Sequence, residues 1–326
     1  MNAAVRLGPG TRGGRGLQTA ADCPILPAGT GAARGTCTRM RYDSLDALLA
    51  AAPERLRRGP VALIFVEDEA EIASTMAHHL RLGFASVLAF VPEGLGLSGP
   101  QDPRLAEVRL PTRAEGIVPA TVNRIAAAAP GSWIFWGFNA EYLYFPFCET
   151  RSVRELVTFH AEERREAMLT FVIDLYPGDL ARAPHGVSLS DAHLDRIGYY
   201  ALARRGPDGH PRERQLDFFG GIRWRFEEHV PQHRRRIDRI ALFRAGPGRS
   251  LTDDHRFDDE ELNTYACPWH HNLTAAIASF RTAKALKANP VSAEAVASFR
   301  WPGSVPFEWG SQQLMDLGLM EPGQWF

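Results

Sequence analysis

Lysine is almost missing from this chain: Lys284 and Lys287 are the only two, and arginine carries the rest of the positive charge. The imbalance reads first as a codon-composition effect and second as anion recognition, for which a planar guanidinium is suited. Net charge is missing too. The 37 Lys and Arg against 38 Asp and Glu leave −1, which gives no electrostatic footprint for nucleic acid or an acidic membrane surface over the whole chain. Cys23, Cys37, Cys148 and Cys267 contain no Cys-x-x-Cys pair and form no framework typical of small secreted domains. Free thiols in a reducing compartment are therefore expected. No apolar run reaches the roughly 18–20 residues a bilayer span needs, and the amino terminus lacks the apolar core of a signal peptide. The expected location is cytoplasmic. The Gly/Pro loop at 92–103 lacks both Gly-x-Gly-x-x-Gly and Gly-x-x-x-x-Gly-Lys-Ser, so it supports neither a dinucleotide fingerprint nor a P-loop.

What is present is ordinary globular material, 45 % hydrophobic and 23 % charged over 326 residues, enough for one large α/β domain or two small ones. Residues 1–39 carry few large apolar side chains, so they are expected to be a disordered extension. Met40 stands directly before the first patterned segment and is a second candidate start.

Ser44 with Leu45, Leu48 and Leu49 predicts a short helix that ends near Arg58-Gly59-Pro60. Val61–Val66 is a buried strand by its composition, and it breaks into Glu67-Asp68-Glu69. A helix from about Glu69 to Leu82, stopped by Gly83, precedes a second buried strand at Ser86–Val91. Strand–helix–strand of this kind demands a right-handed parallel crossover. Acids favour a helix start, so the plain reading of the triplet is a solvated helix entry; the sharper one is a ligand site at the strand's carboxyl end. Leu105–Leu110 reads as a short strand. Thr112 and Glu115 make a capping box for a helix that reaches Ala129 and is interrupted near Pro119.

Trp133–Phe138, aromatic and aliphatic throughout, is what a strand buried on both faces of a parallel sheet looks like. It delivers Asn139 and Glu141 at its carboxyl end, where open α/β sheets place ligands. Ser152 and Glu155 form a capping box for the next helix. Leu169–Leu175 is a strand that places Asp174 near its end, and residues 178–215 read as polar loop. In the segment from Phe219 to Phe226, Gly220 and Gly221 let backbone approach something closely. Arg223 and Arg225 would share one side of an extended segment, either facing solvent or clamping phosphate. Ile237–Phe243 is a strand, about Leu273 to Leu286 a last helix, and 289–326 a tail packing on the domain. Adjacent His270 and His271 point about 100° apart on a helix and rarely share an ion. Cys148, set among aromatics, reads more readily as an inert buried thiol than as a nucleophile.

The order of segments over residues 60–288 resembles that of bacterial glycosyltransferase family 2-like proteins with a GT-A fold. Four sets of residues carry the resemblance. Val61–Val66 with Glu69, and His79 ahead of Gly83-Phe84, resemble the family's opening strand and helix. Phe138-Asn139-Ala140-Glu141-Tyr142-Leu143, leading to Pro146, resembles its Asp-Ala-Asp-Glu-Phe-Leu segment. Gly220-Gly221-Ile222-Arg223-Trp224-Arg225-Phe226 resembles a Gly-Gly-x-Arg-x-Arg-Phe element, and His255, His270 and His271 fall where the family places late histidines. The departure is as informative. Aligned on Pro146, the two metal-binding aspartates fall on Phe138 and Ala140 and only Glu141 is kept; a shift of one places Asn139 and Glu141 there instead.

The resemblance implies an α/β GT-A domain over 40–288, with a mostly parallel, Rossmann-like sheet flanked by helices. It implies transfer of a sugar from a nucleotide-sugar to a hydroxyl acceptor. The implied nucleotide and metal contacts are Glu67, Glu69, Asn139 and Glu141, with Glu141 the metal ligand for Mn or Mg and Glu149 or Asp174 the base. Arg223, Arg225 and His271 would replace metal charge at the diphosphate. The alternative, from the degenerate motif, is a catalytically silent GT-A domain that binds a nucleotide, glycan or protein.

Overall fold

Apolar runs alternate with amphipathic stretches through the first half of the chain, and most become the element their period demands. The computed structural model describes residues 39–263 and 272–325, all within one unit, Cys37–Phe326. After β1 (Met40–Tyr42) come α1 (Leu45–Ala51), capped by the Ser44 hydroxyl, and α2 (Pro53–Arg57). One helix was expected here; Pro53 splits it, since proline cannot donate to the carbonyl one turn back. Then follow β2 (Val61–Phe65), α3 (Ile72–Arg81), β3 (Ser86–Val91), β4 (Leu105–Arg109) and α4 (Ile117–Ala128). Next are β5 (Trp133–Phe138), β6 (Glu141–Tyr144), α5 (Val153–Glu162) and β7 (Ala167–Asp174). The remainder holds β8 (Tyr176–Pro177), β9 (Ala192–Asp195), β10 (Tyr200–Arg205), β11 (Pro211–Phe219) and α6 (Ile222–Arg225). It closes with β12 (Asp238–Arg244), β13 (Ala275–Ser279), α7 (Arg281–Ala288), α8 (Pro290–Ala295), β14 (Ser304–Pro306) and α9 (Ser311–Asp316).

Nine strands form one sheet in the order β1-β4-β3-β2-β5-β12-β7-β13-β6. Five of its eight neighbour pairings are parallel, which makes this an α/β, Rossmann-like architecture. Alternate residues of β2 serve opposite faces, as a pleated strand requires. Ala62 and Ile64 pack with α3 and α5, while Val61, Leu63 and Phe65 pack with α1 and α4. The chain steps outward from β2 to β3 to β4, then returns to β5 on the other flank of β2. That reversal is a topological switch point, and crevices outside the carboxyl ends of such strands are where open sheets bind ligands. β12 lies antiparallel between β5 and β7. The carboxyl ends of β2, β5, β7 and β13 therefore share one rim with the amino ends of β6 and β12.

Several expectations are corrected. α3 starts at Ile72 because Glu71 takes a left-handed turn, φ 53. Thr112 makes no capping box: α4 begins after left-handed Gly116, and the Thr112 hydroxyl donates to the Val66 carbonyl. Pro119 sits in the first turn of α4, where its missing N–H costs nothing, so nothing is interrupted. Residues 178–215 are not simply loop, since β10 and β11 pair as an antiparallel ribbon. The segment carrying Arg223 and Arg225 is one helical turn rather than extended. Ala275–Ser279 is a strand, and the last predicted helix starts only at Arg281; the alanines left its period ambiguous. Within 289–326, Trp325 packs beside Phe145 and Phe159 at 6.0 and 6.1 Å between ring centroids. The extension up to residue 38, and His270 with His271, lie outside the described residues.

Candidate functional site

The rim is tied together by Asn139, which follows β5. Its Oδ1 accepts from the Glu67 amide at 2.8 Å, while its Nδ2 donates to Asp68 Oδ1 at 2.7 Å and to the Ala70 carbonyl at 2.8 Å. A carboxylate there could not donate to a carbonyl, so the amide is what this loop contact requires. Ala140 next to it holds φ 60, a costly conformation for a residue with a Cβ. Thr75 Oγ1 accepts from its amide at 2.9 Å and its carbonyl accepts from Phe280, which over-determines the turn.

Three of the rim carboxylates, Glu67, Asp68 and Glu141, each meet a protein cation. Arg281 grips Glu67 with Nε to Oε2 at 2.8 Å and Nη2 to Oε1 at 2.6 Å, with its Cζ 3.6 Å from the Phe138 ring centroid. Lys284 Nζ stands 2.9 Å from Asp68 Oδ2. Arg239 Nη2 reaches Glu141 Oε2 at 2.7 Å, and its Cζ lies 4.6 Å from the Trp136 ring. Glu141 also accepts from the Phe138 amide and from Ser279 Oγ, both at 3.0 Å. Gly137 leaves room for that carboxylate: a Cβ there would sit 3.2 Å from Glu141 Oε2. Arg113 Nε donates to the Glu67 carbonyl at 2.7 Å. Among the described residues, neither Arg113 nor the exposed Arg234 has a carboxylate within ion-pair distance.

The electrostatics follow from this crowd of guanidinium groups. Burial pushes the Glu141 carboxyl up, but Arg239 and Arg281 overcome it and hold it below the usual carboxylate range. Burial likewise opposes the Asp68 carboxylate, and Lys284 with Asn139 more than offsets it. His255, whose ring centroid is 4.7 Å from that of Trp136, is pushed down to about 3 by burial and then by Arg239, Arg281 and Arg234.

The predicted residues separate into two groups. Glu67, Glu69, Asn139, Glu141 and Asp174 come to the rim; Glu69 is exposed there. Asp174 is fully buried, and Arg223 takes it with Nη2 to Oδ1 at 2.6 Å, joined by Thr282 Oγ1 at 2.9 Å. What approaches Gly221 closely is this same carboxylate, 2.8 Å from where a Cβ would stand. Arg225 is spent on Asp195, Nε to Oδ2 at 2.8 Å, and on the Phe299 carbonyl. Arg223 and Arg225 are thus ion-pair partners of buried carboxylates and do not form a shared clamp. Glu149 is corrected in position: β6 runs antiparallel, so the segment after it leaves the opposite rim, where Glu149 accepts from Ser311 N and Oγ at 2.6 Å. His271 lies outside the described residues, and among those no group of three or more His, Cys, Asp or Glu could hold a metal ion. Burial pushes the Cys148 thiol up to about 12, against a nucleophilic role.

Sequence reading passed over Arg239, Arg281, Lys284, Arg113 and Arg234. One signal was available. Arg281 opens α7, where a cation opposes the helix dipole, and one of the chain's two lysines follows three residues later. Placing a helix from Leu273 hid that signal by putting Arg281 in mid-helix.

No family model matches the chain, and no curated protein matches it. Among solved structures it is similar to HddC from Yersinia pseudotuberculosis, at 7 % identity over 58 % of this chain and 74 % of that one, with a TM-score of 0.28. A likeness that slight carries no argument about activity.

Proposed function

We propose that the chain is a glycosyltransferase-like protein of GT-A type, which binds a nucleotide-sugar at the switch-point rim and transfers its sugar to a hydroxyl acceptor. The observation that carries the reading is the convergence of Glu67, Asp68, Asn139 and Glu141 at the carboxyl ends of β2 and β5, linked by the Asn139 amide. In the proposed reaction the acceptor oxygen bonds to the anomeric carbon, the bond from that carbon to the phosphate oxygen breaks, and the nucleoside diphosphate leaves. The acceptor proton passes to a base. With Asp174 and Glu149 both committed to protein donors, Glu69 is the rim carboxylate left open for that task. Mn or Mg fits this donor set poorly. Hard cations want carboxylate oxygens, yet Phe138 and Ala140 offer none in their side chains, and Glu67, Asp68 and Glu141 are held by Arg281, Lys284 and Arg239.

A second reading, a silent domain that binds the same ligand without turnover, is favoured by the burial of Asp174 beneath Arg223. Thermal-shift screening with UDP- and GDP-sugars, followed by assay of nucleoside diphosphate release, separates the two. A raised melting temperature with release that disappears in Glu69→Gln supports transfer. Binding without release supports the silent domain, and no shift with any nucleotide-sugar refutes both.

A further inference from the structure

The mismatch between the rim and a divalent metal has a positive counterpart. We propose that Arg281, Lys284, Arg234 and Arg239 form a built-in anion site, which takes a diphosphate group directly and needs no divalent cation to do so. The location rests on the functional reading above; the recognition chemistry does not.

Glu67 and Asp68 act as anchors for this site. By gripping Arg281 through Nε and Nη2, Glu67 fixes the guanidinium plane over the Phe138 ring and leaves Nη1 unspent. Asp68 and the Asn139 carbonyl hold Lys284 Nζ, an ammonium with three donors. Phe138 is the hub: Arg239 Cζ lies 5.9 Å from its ring centroid and the His255 ring 6.5 Å away. Cations so placed are held partly by the ring's quadrupole. Arg239 is 6 % exposed, and its Nε has no hydrogen-bond partner among the described residues. A buried N–H in that state is costly. Arg234 adds charge at the mouth, close enough to feel both Arg281 and the Glu67 carboxylate, with no carboxylate in direct ion-pair contact among the described residues. His255 is depressed first by its burial, and Arg239, Arg281 and Arg234 lower it further. Guanidinium forks match phosphate oxygens in geometry as well as charge. Fixed cations aimed at a diphosphate stabilise it as a leaving group without reorganisation.

The test is titration calorimetry on the full chain with three probes: inorganic pyrophosphate, UDP or GDP, and their hexose conjugates. Each is run in EDTA and again with Mn²⁺. The expected result is equal affinity in both buffers, and a loss of about tenfold for pyrophosphate in Arg234→Ala, which removes one charge-assisted contact. Arg234 is exposed, so the variant's melting temperature should stay unchanged. Binding that requires Mn²⁺, or unchanged affinity in Arg234→Ala, overturns the anion site. If nucleotide-sugars bind only with Mn²⁺, the anion site falls while the functional reading stands. If pyrophosphate binds without metal and no nucleotide-sugar binds, the functional reading falls and the anion site stands. If nothing binds, both fall.

Discussion

Glu141→Ala should destabilise this protein by about 3–5 kcal/mol, the usual effect of leaving one member of a buried ion pair alone. The side chains of Glu141 and Arg239 are 2 % and 5 % exposed, so water cannot replace the lost partner. The substitution also strands the Phe138 amide and the Ser279 hydroxyl. At roughly 2–4 °C per kcal/mol for a large domain, the melting temperature should fall by about 6–20 °C. Calorimetry of Glu141→Ala, Arg239→Met and the double variant Glu141→Met/Arg239→Met completes the comparison. The double variant should recover most of the loss, because apolar residues of similar volume often replace a buried pair at little cost. A single substitution that lowers stability by less than about 1 kcal/mol, or a double variant as damaged as the sum of the singles, refutes the account of Glu141 as a structural partner of Arg239. It would also return Glu141 to the list of free ligands.

Acid should unfold the protein early. Burial depresses His79 and His160 to about 4, His255 to about 3 and His78 well below its ordinary value, so the unfolded chain binds protons that the folded one refuses. Stability is then fully present above about pH 6.5 and falls with pH below it, approaching about 5 kcal/mol per pH unit for four such groups; a melting temperature flat between pH 7 and pH 5 contradicts this. Gly221→Ala, at φ 70 and against the Asp174 carboxylate, should cost about 1–3 kcal/mol; denaturant melts that match wild type would show that the contact is loose. Cys148 should resist iodoacetamide at pH 8, since its thiol is raised to about 12, and peptide mass spectrometry showing rapid labelling at that residue would count against its burial.

The sheet's parallel half was legible because Val61–Phe65, Ser86–Val91 and Trp133–Phe138 are buried on both faces and, Ser86 apart, carry no polar side chain of the charged or hydroxyl kind. The Ser152–Glu155 capping box was equally plain and is formed. Ala275–Ser279 was not, since alanine-rich sequence fits either period. At the site, sequence brought the acidic residues of β2 and β5 to one rim through topology. It could not supply their partners: Arg281 and Lys284 lie more than two hundred residues from Glu67 and Asp68. Charge pairing across such separations leaves no local pattern to read. Asp174 and Glu149 look alike as acids after strands, and only strand direction, invisible in sequence, sends them to opposite rims.

The insertion of β12 between β5 and β7 has a consequence for synthesis. Until Asp238–Arg244 leaves the ribosome, Trp133–Phe138 presents an unpaired flank of main-chain donors and acceptors in a wholly apolar ribbon. The roughly hundred intervening residues take about 5–20 s to make. Throughout that interval the nascent amino-terminal half offers neighbouring chains a sticky border.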